Sequence, residues 1–270
     1  MKSVQAQPCL DDIVVVDNSL NKSNRDAAEN VCHEAGVRLI RPGSNLGFAA
    51  ACNLAVREFG PDIDKLLFIN PDARVSPEAI NALEASLADD PQFAALNPTL
   101  YLPDASTWFA GGSLNRQLAR LVQWGTTQGE SDPVATTEWV NGCVLMVRRD
   151  AFLEVGGFDE RYFLYWEDVV LSLRLREAGW RIGVLADASA THIRGEGGIP
   201  IDAISAAQLE HSLQSRLIFI RNELRGAEKG TALAYTSVNT LRLVHRAHRG
   251  NVRVSDALQA AARGFRGART

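Results

Sequence analysis

The sequence predicts a layered α/β domain, a mainly parallel sheet flanked by helices, followed by a helical carboxyl-terminal region. Three observations carry this. Short β-branched apolar runs alternate with amphipathic stretches, the pattern of strands connected by helices in an α/β layer. Polar clusters follow several of those runs directly. Beyond Gly198 the pattern turns helical and basic. We therefore divide the chain at residues 1–198 and 199–270.

DIVVVD (12–17) is a buried strand by its β-branched run and polar bounds. Residues 24–35 are helical and end at Gly36, a suitable carboxyl-terminal cap. VRLI (37–40) is a short strand, followed by the loop RPGSNLG and a small-residue helix, FAAACNLAVREF. KLLFI (65–69) is a strand, and SPEAINALEASLADD opens a helix with Ser76 as N-cap and Pro77 at the first position. Residues 100–135, rich in Gly, Ser and Thr, read as an excursion from the core. EWVNGCVLMVRR (138–149) reads as one long strand, a helix runs to Gly179, and RIGVLADA (181–188) is the last strand. No internal repeat or low-complexity tract interrupts the pattern.

With 46% hydrophobic and 22% charged residues, the chain has the apolar content for a packed core and not the composition of a disordered one. No apolar run approaches the roughly 18 residues of a membrane span, and the amino terminus does not read as a signal peptide. Cys9, Cys32, Cys52 and Cys143 form no C-x-x-C pair. They read as reduced thiols, which makes the cytoplasm the expected compartment. The charge is uneven. Residues 211–270 hold 11 Lys/Arg against 3 Asp/Glu, a net of +8, in a chain whose total is -4. The tail is expected to meet something anionic, a membrane surface or a phosphate-bearing substrate, or else to be a solvated helical face. Nucleic acid fits less well, because the body is acidic and no nucleic-acid-binding motif is present.

In open α/β sheets ligands collect beyond the carboxyl ends of strands. Asp17-Asn18-Ser19, Asn70-Pro71-Asp72 and the segment leading to His192 all fall at such positions. Proline fixes its own φ and extends Asn70, so Asp72 is held at a defined angle. That suits a Mg²⁺ or Mn²⁺ ion that also binds phosphate oxygens, although Asn, Pro and Asp are equally ordinary turn residues. His192 is a ligand type for manganese-like ions or a structural histidine. Asp17 offers an acceptor for the N3–H of a uracil or thymine ring, or simply forms a turn. In FLYWEDVVL (163–171), Glu167 and Asp168 follow four bulky residues at a helix start. Acids there are favoured by the helix dipole, by up to about 1 kcal/mol; one of them is also placed to be a catalytic base.

Taken together, VVVDNSLNKSN, RPGSNLGFAAACN, LLFINPDARV, WVNGCVLMVRRDAFLEVGGFDERYFLYWEDVVLSLRLREAGWRI and ADASATHIRG resemble the inverting family 2 glycosyltransferases, in particular their bacterial rhamnosyltransferase-like branch. The resemblance extends over roughly residues 11–196. It implies the GT-A-type nucleotide-diphospho-sugar transferase fold. The implied activity is sugar transfer, with L-rhamnose from dTDP-rhamnose as the expected donor and a cell-surface polysaccharide or lipid-linked glycan as acceptor.

The resemblance also implies roles. Asp17 pairs with the pyrimidine of a dTDP- or UDP-sugar, and Asn45, Gly47, Asn53 and Asn70 lie beside the nucleotide. Asp72, the last acid of a metal-binding motif that here reads Asn-Pro-Asp, holds Mn²⁺ or Mg²⁺ with His192. Asp168 is the base, with Glu167 beside it. Trp139, Gly142, Gly157, Phe158 and Asp159 form the acceptor-facing wall, and the rings ahead of the acids, Trp166 among them, stack on sugar. The basic tail would bring the protein to the inner face of the cell membrane.

Two departures stand out. EDVVL replaces the family's usual EDVDL, so Val170 stands where a further acid is common. The opening MKSVQAQPCLDDIVVVD reads as the tail of a first helix running into the family's second strand, so the family's first strand is expected to be missing. Either the start lies upstream, by about 25–35 residues for a strand and a helix, or the chain is a shortened relative that binds nucleotide or glycan without catalysis. A dinucleotide-dependent oxidoreductase is disfavoured, since no G-x-G-x-x-G follows an early strand.

Overall fold

A computed structural model describes residues 10, 12–126, 133–193, 204–249 and 252–268. They divide into two compact units. The first lies within Met1–Gly112, Gln123–Glu160 and Asp168–Ile193; the second lies within Ser113–Val122, Arg161–Glu167 and Arg194–Thr270. The break after Ile193 falls near the expected boundary at 198, but the second unit also takes in two earlier segments, 113–122 and 161–167.

The first unit begins with β1 (Val14–Val16) and β2 (Arg38–Ile40), a parallel pair joined by α1 (Lys22–Ala35). Asn21 caps α1 by accepting from the Ser23 and Asn24 amides, and Gly36 ends it at φ 63°. The helix α2 (Gly47–Val56) then leads to β3 (Lys65–Ile69) and the short β4 (Ala73–Val75). Next comes α3 (Pro77–Asp89), capped by Ser76 as its sequence predicts. The central strand is β5 (Phe93–Tyr101), fully buried up to its last residue. Around it lie β6 (Thr107–Phe109), β9 (Val134–Thr136), β10 (Val144–Arg148) and β11 (Arg181–His192).

The main path of the sheet is β3-β10-β5-β11-β4, with β6 on β5 and β9 on β11. It is mixed. Parallel pairing holds for β5–β11 and, in the separate two-stranded sheet, for β1–β2, while β10 runs antiparallel to both β3 and β5. The expected long strand 138–149 shortens to β10, because residues 138–143 are bent into loop. The expected excursion at 100–135 is corrected in part: β6 and β9 join the sheet, and Phe109 and Ala110 are buried.

Two short helices, α4 (Arg149–Glu154) and α5 (Glu167–Glu177), follow β10. The apolar core of this unit joins Ala49, Leu66, Phe68, Leu145, Phe152 and Phe158 with Leu171 and Leu175 of α5. Phe158 lies edge-on to Phe48, Phe68 and Phe152, with ring centroids 5.1–5.5 Å apart, the preferred arrangement for aromatic rings. Cys32, Cys52 and Cys143 are free thiols.

The second unit contains α6 (Ala206–Glu223), α7 (Gly226–Arg249) and α8 (Val254–Gly267), with a hairpin formed mainly by β7 (Gly112–Asn115) and β8 (Arg120–Gln123). Ser205 and Gln208 form a reciprocal capping box at the start of α6. Arg216 ties the hairpin to the helices: it donates to the Leu118 carbonyl at 2.7 Å and lies over the Tyr235 ring. Small residues of α8, Ala257, Ala260 and Ala261, share a core with Leu209, Leu213 and Val244. Gly264 allows the closest approach, since a Cβ there would stand 2.7 Å from the Glu210 carbonyl oxygen.

Helix propensity alone favours alanine over glycine at position 264 by about 1 kcal/mol. The collision with the α6 backbone reverses that preference, so Gly264→Ala should lower the thermal unfolding midpoint followed by circular dichroism.

Candidate active site

The site grows from the register of β3 against β10. Ile69 pairs with Val144, so the end of β3 meets the start of β10. The Asn70 amide donates to the Cys143 carbonyl at 2.8 Å, and the Asn70 carbonyl accepts from Ala73 N–H at 3.0 Å. These bonds close the Asn70-Pro71-Asp72 turn. Asn70 thus contributes through its backbone.

Opposite the turn, β11 pairs with β4, with His192 facing Ala73 and the Ile193 amide donating to the Asp72 carbonyl at 2.7 Å. This brings His192 Nε2 to 3.1 Å from Asp72 Oδ2. Trp108 stacks on the imidazole, centroids 4.3 Å apart at 23°, and fixes its plane. Two cis ligands of an octahedral ion with bonds of 2.0–2.2 Å stand about 3 Å apart. The observed contact is a direct hydrogen bond or ion pair, and its spacing is also one that two ligands of a hard divalent cation could take. Among the described residues no group of three or more His, Cys, Asp or Glu side chains gathers to complete such a site. Its remaining ligands would be water and donor oxygens.

On the other side of Cys143 the chain turns through Asn141 and Gly142. The side chain of Asn97, wholly buried in β5, donates to the carbonyls of Asn141 and Val144 and accepts from the Asn141 amide at 2.7 Å. Asn141 Oδ1 in turn accepts from Cys143 N–H. The fixed turn aims the Gly142 amide at Asp168 Oδ2, 3.1 Å away, while Val169 N–H donates to Oδ1 at 2.8 Å. Burial drives the Asp168 carboxyl up to about 6, with hydrogen bonds from the Gly142, Val169 and Asp168 amides opposing the rise. The fold binds this proton more tightly than the unfolded chain does. Ionising Asp168 therefore lowers stability as pH rises from the ordinary 3.8 to about 6. Burial also lifts the Cys143 thiol to about 12, helped by the negative charge of Asp72.

Just ahead of α5, Tyr165 and Trp166 stand at φ 70° and 73°. Two successive bulky residues in the left-handed region cost about 1–2 kcal/mol each, and such strain clusters at functional sites.

A third polar cluster is built at the end of β1. Asp17 is 8% exposed, and its Oδ1 accepts from Ser19 N–H at 2.9 Å. Oδ2 is buried, makes no hydrogen bond among the described residues, and lies 3.6 Å from Arg41 Nε. Burial raises this carboxyl, but the Ser19 hydrogen bonds, Arg41 and Arg25 outweigh it and hold the group below its ordinary value. Asn18 reaches across to the start of α2, accepting from Leu46 N–H and donating to the Gly47 carbonyl; Asn45 Oδ1 accepts from Gly47 N–H.

Several residues expected at the ligands are buried or already engaged by other side chains. Phe158, 1% exposed, belongs to the aromatic core and has no face for an acceptor. Asn53 grips the backbone of Phe158 through both its amide and carbonyl. Gly157 takes φ 70°, and a Cβ there would stand 2.8 Å from Asn53 Oδ1. Asp159 is buried and paired with Arg174 at 2.6 Å. Trp139 is buried and packs on Phe109. Trp166 is 6% exposed against Phe219, so it offers no stacking platform, and Glu167 is buried as well. Of the expected wall residues, Gly142 donates its amide hydrogen to Asp168. The residues that sequence reasoning missed are Asn97 and Trp108, whose partners lie 44 and 84 positions away.

This mixed sheet, with polar groups at its strand ends, has the fold of the GT-A glycosyltransferases. It superposes on GalNAc-T7 solved with UDP, GalNAc and Mn²⁺, with a TM-score of 0.61 at 13% identity over 95% of this chain and 48% of that one. It also superposes on the mannosyltransferase PcManGT of Pyrobaculum calidifontis, solved with GDP-Man and Mn²⁺, with a TM-score of 0.55 at 17% identity over 97% and 69%. Residues 65–205 match the family described as Glycosyl transferase family group 2, and the chain belongs to it. The N-acetylglucosaminyl-diphospho-decaprenol L-rhamnosyltransferase of Mycobacterium tuberculosis is 32% identical over 67% of this chain and 66% of its own length. The dTDP-rhamnosyl transferase RfbF of Shigella flexneri is 26% identical over 78% and 68%. The chain thus spans just under two thirds of the mycobacterial relative.

Removing the Asn97 carboxamide strands buried backbone groups of Asn141 and Val144, each worth about 1–3 kcal/mol when left without a partner. Asn97→Leu should therefore lower stability by at least about 2 kcal/mol, read as a shift of the urea midpoint at constant m-value.

Proposed function

We propose that this protein is an inverting glycosyltransferase that moves a sugar from a nucleotide-diphosphate donor to a hydroxyl of a glycan or lipid-linked acceptor. The observation that carries this reading is the pairing of two sites on one strand junction: Asp72 with His192 on one side of Cys143, and Asp168 on the other. Relatives named for rhamnosyl transfer support L-rhamnose from dTDP-rhamnose as the donor. The decaprenol-linked substrate in the name of one relative supports a lipid-linked acceptor. On this reading the protein works in the cytoplasm, at the inner face of the membrane that presents such acceptors.

Asp17 stays ionised at neutral pH, and its Oδ2 is the acceptor for the N3–H of thymine or uracil. Asp72 and His192 would hold Mn²⁺ or Mg²⁺, which when bound neutralises charge on the departing diphosphate. Asp168, held by two backbone amides, accepts the proton of the acceptor hydroxyl. As that oxygen bonds to the anomeric carbon from the face opposite the diphosphate, the bond to the diphosphate breaks. The nucleoside diphosphate leaves with the electron pair, and the anomeric centre inverts. No enzyme nucleophile is needed. A carboxyl with a pKa of about 6 is ionised at neutral pH yet more basic than an ordinary aspartate, as a general base requires.

Two measurements test this. In calorimetric titration, dTDP should bind more tightly with Mn²⁺ than without it, and His192→Ala should remove the difference; binding indifferent to metal would refute the assigned ligand pair. In transfer assays from dTDP-rhamnose, kcat/KM should rise about tenfold per pH unit below about 6 and level off above it, because only the carboxylate accepts the proton. Asp168→Asn should lower transfer at least about 100-fold while leaving dTDP affinity near that of the unaltered chain. A variant that kept its transfer rate would remove Asp168 from the chemistry.

A further inference from the structure

The outward face of α7 has an unusual composition for a helix in contact with water. Ala232, Thr236, Val244 and Ala247 are buried on the inner side. At 100° per residue, the opposite side is centred on Ala234, Val238, Leu241 and His245. Val238 and Leu241 are 67% and 70% exposed. Arg242 and Arg249 are exposed along one edge of this line, and α7 carries no carboxylate after Glu228. A solvated surface helix places charges at the centre of its outer face; here Val238 and Leu241 stand on that face beside His245, and the arginines lie along one edge of it. The neighbouring α8 repeats the feature, with Val254 and Leu258 about half exposed at a spacing of four. Of the nine large hydrophobic residues exposed among the described residues, five lie on these two helices.

We infer that the outer face of α7 is a lipid-contacting surface, which lies on an anionic bilayer with Val238 and Leu241 inserted among the acyl chains and the arginines at the headgroups. An aliphatic line with a basic edge suits a helix that lies in a membrane interface, and arginine stems span the boundary between the two environments. Charge selects the occupant. A second copy of this face would set Arg242 and Arg249 against their own copies, in a region whose residues 211–270 carry net +8, whereas anionic headgroups complement them. A nucleic acid would match the arginines and leave the aliphatic line without a partner. The biological purpose rests on the lipid-linked acceptor reading; the binding itself does not, so the test uses neither donor nor acceptor.

The experiment is co-sedimentation of the full chain with phosphatidylcholine vesicles, with and without phosphatidylglycerol. Binding should be at least about tenfold stronger to the anionic vesicles and should weaken as salt rises. The double variant Val238→Ser, Leu241→Ser should keep the helical circular dichroism and lose about tenfold in partitioning. The inference is overturned if the unaltered chain ignores anionic vesicles, or if the double variant binds them equally well. It is also overturned if sedimentation velocity without lipid shows a dimer that the double variant dissolves, because a second copy would then cover the face. Transfer to a soluble acceptor analogue, measured separately, reports on Asp168 and is independent of all these outcomes.

Discussion

The buried carboxamide of Asn97 is the interaction on which the site depends. Its two N–H groups and its oxygen are all engaged, and all on the segment between Asn141 and Val144. A polar side chain with no exposure is tolerated only when its hydrogen bonds are made, so this amide is a specifying contact and not a passive filler. It halts β10 at Val144 and turns the preceding residues out of the sheet. One consequence is the Gly142 amide pointing at Asp168; another is the Cys143 carbonyl receiving Asn70. Both proposed reacting centres are thus positioned by one turn, through backbone groups that no side-chain motif advertises.

The same junction explains why the protein tolerates an unfavourable carboxylate. Asp168 is desolvated, and the two amide bonds recover only part of the loss. Tyr165 and Trp166 add backbone strain directly ahead of it. The compensation comes from packing: Val169 and Leu171 of α5 are fully buried, and Asp159 with Arg174 ties the preceding loop to the helix. A site of this kind spends stability gained elsewhere in the fold on a group whose proton affinity has been tuned.

What the sequence made legible were features settled by near neighbours. KLLFI is a strand at its predicted bounds, Ser76-Pro77 starts a helix, and Gly36 ends one. The three polar clusters at strand ends are likewise visible, because turn chemistry is local. The central strand β5 was not, since its sequence FAALNPTLY holds Asn-Pro in mid-run. The proline is accommodated because β10 pairs β5 only at Ala95 and Leu96, and the register with β11 shifts after Leu185. Phe158, Asp159 and Asn53 show the opposite limit: a motif gives their positions, but only the fold reveals that Phe158 and Asp159 are buried and that Asn53 holds the Phe158 backbone. Trp108 behind His192 is a contact across 84 residues, and no local pattern encodes it.

On the transfer reading, the sparseness of the ion site has a thermodynamic consequence. One carboxylate and one imidazole, set 3.1 Å apart and immobilised by the β4–β11 pairing and by Trp108, are preorganised but too few to fill the coordination of a hard cation. The diphosphate would supply the missing oxygens, so each ligand would raise the affinity of the other, and by the same factor. Asp72 alone brings negative charge to this pair, which leaves room for the charge of the diphosphate. A third carboxylate would tighten the cation by itself and repel the diphosphate that has to share it. Asparagine at position 70 therefore suits a site where metal and nucleotide arrive as mutual ligands: it closes the turn through its backbone and adds no charge.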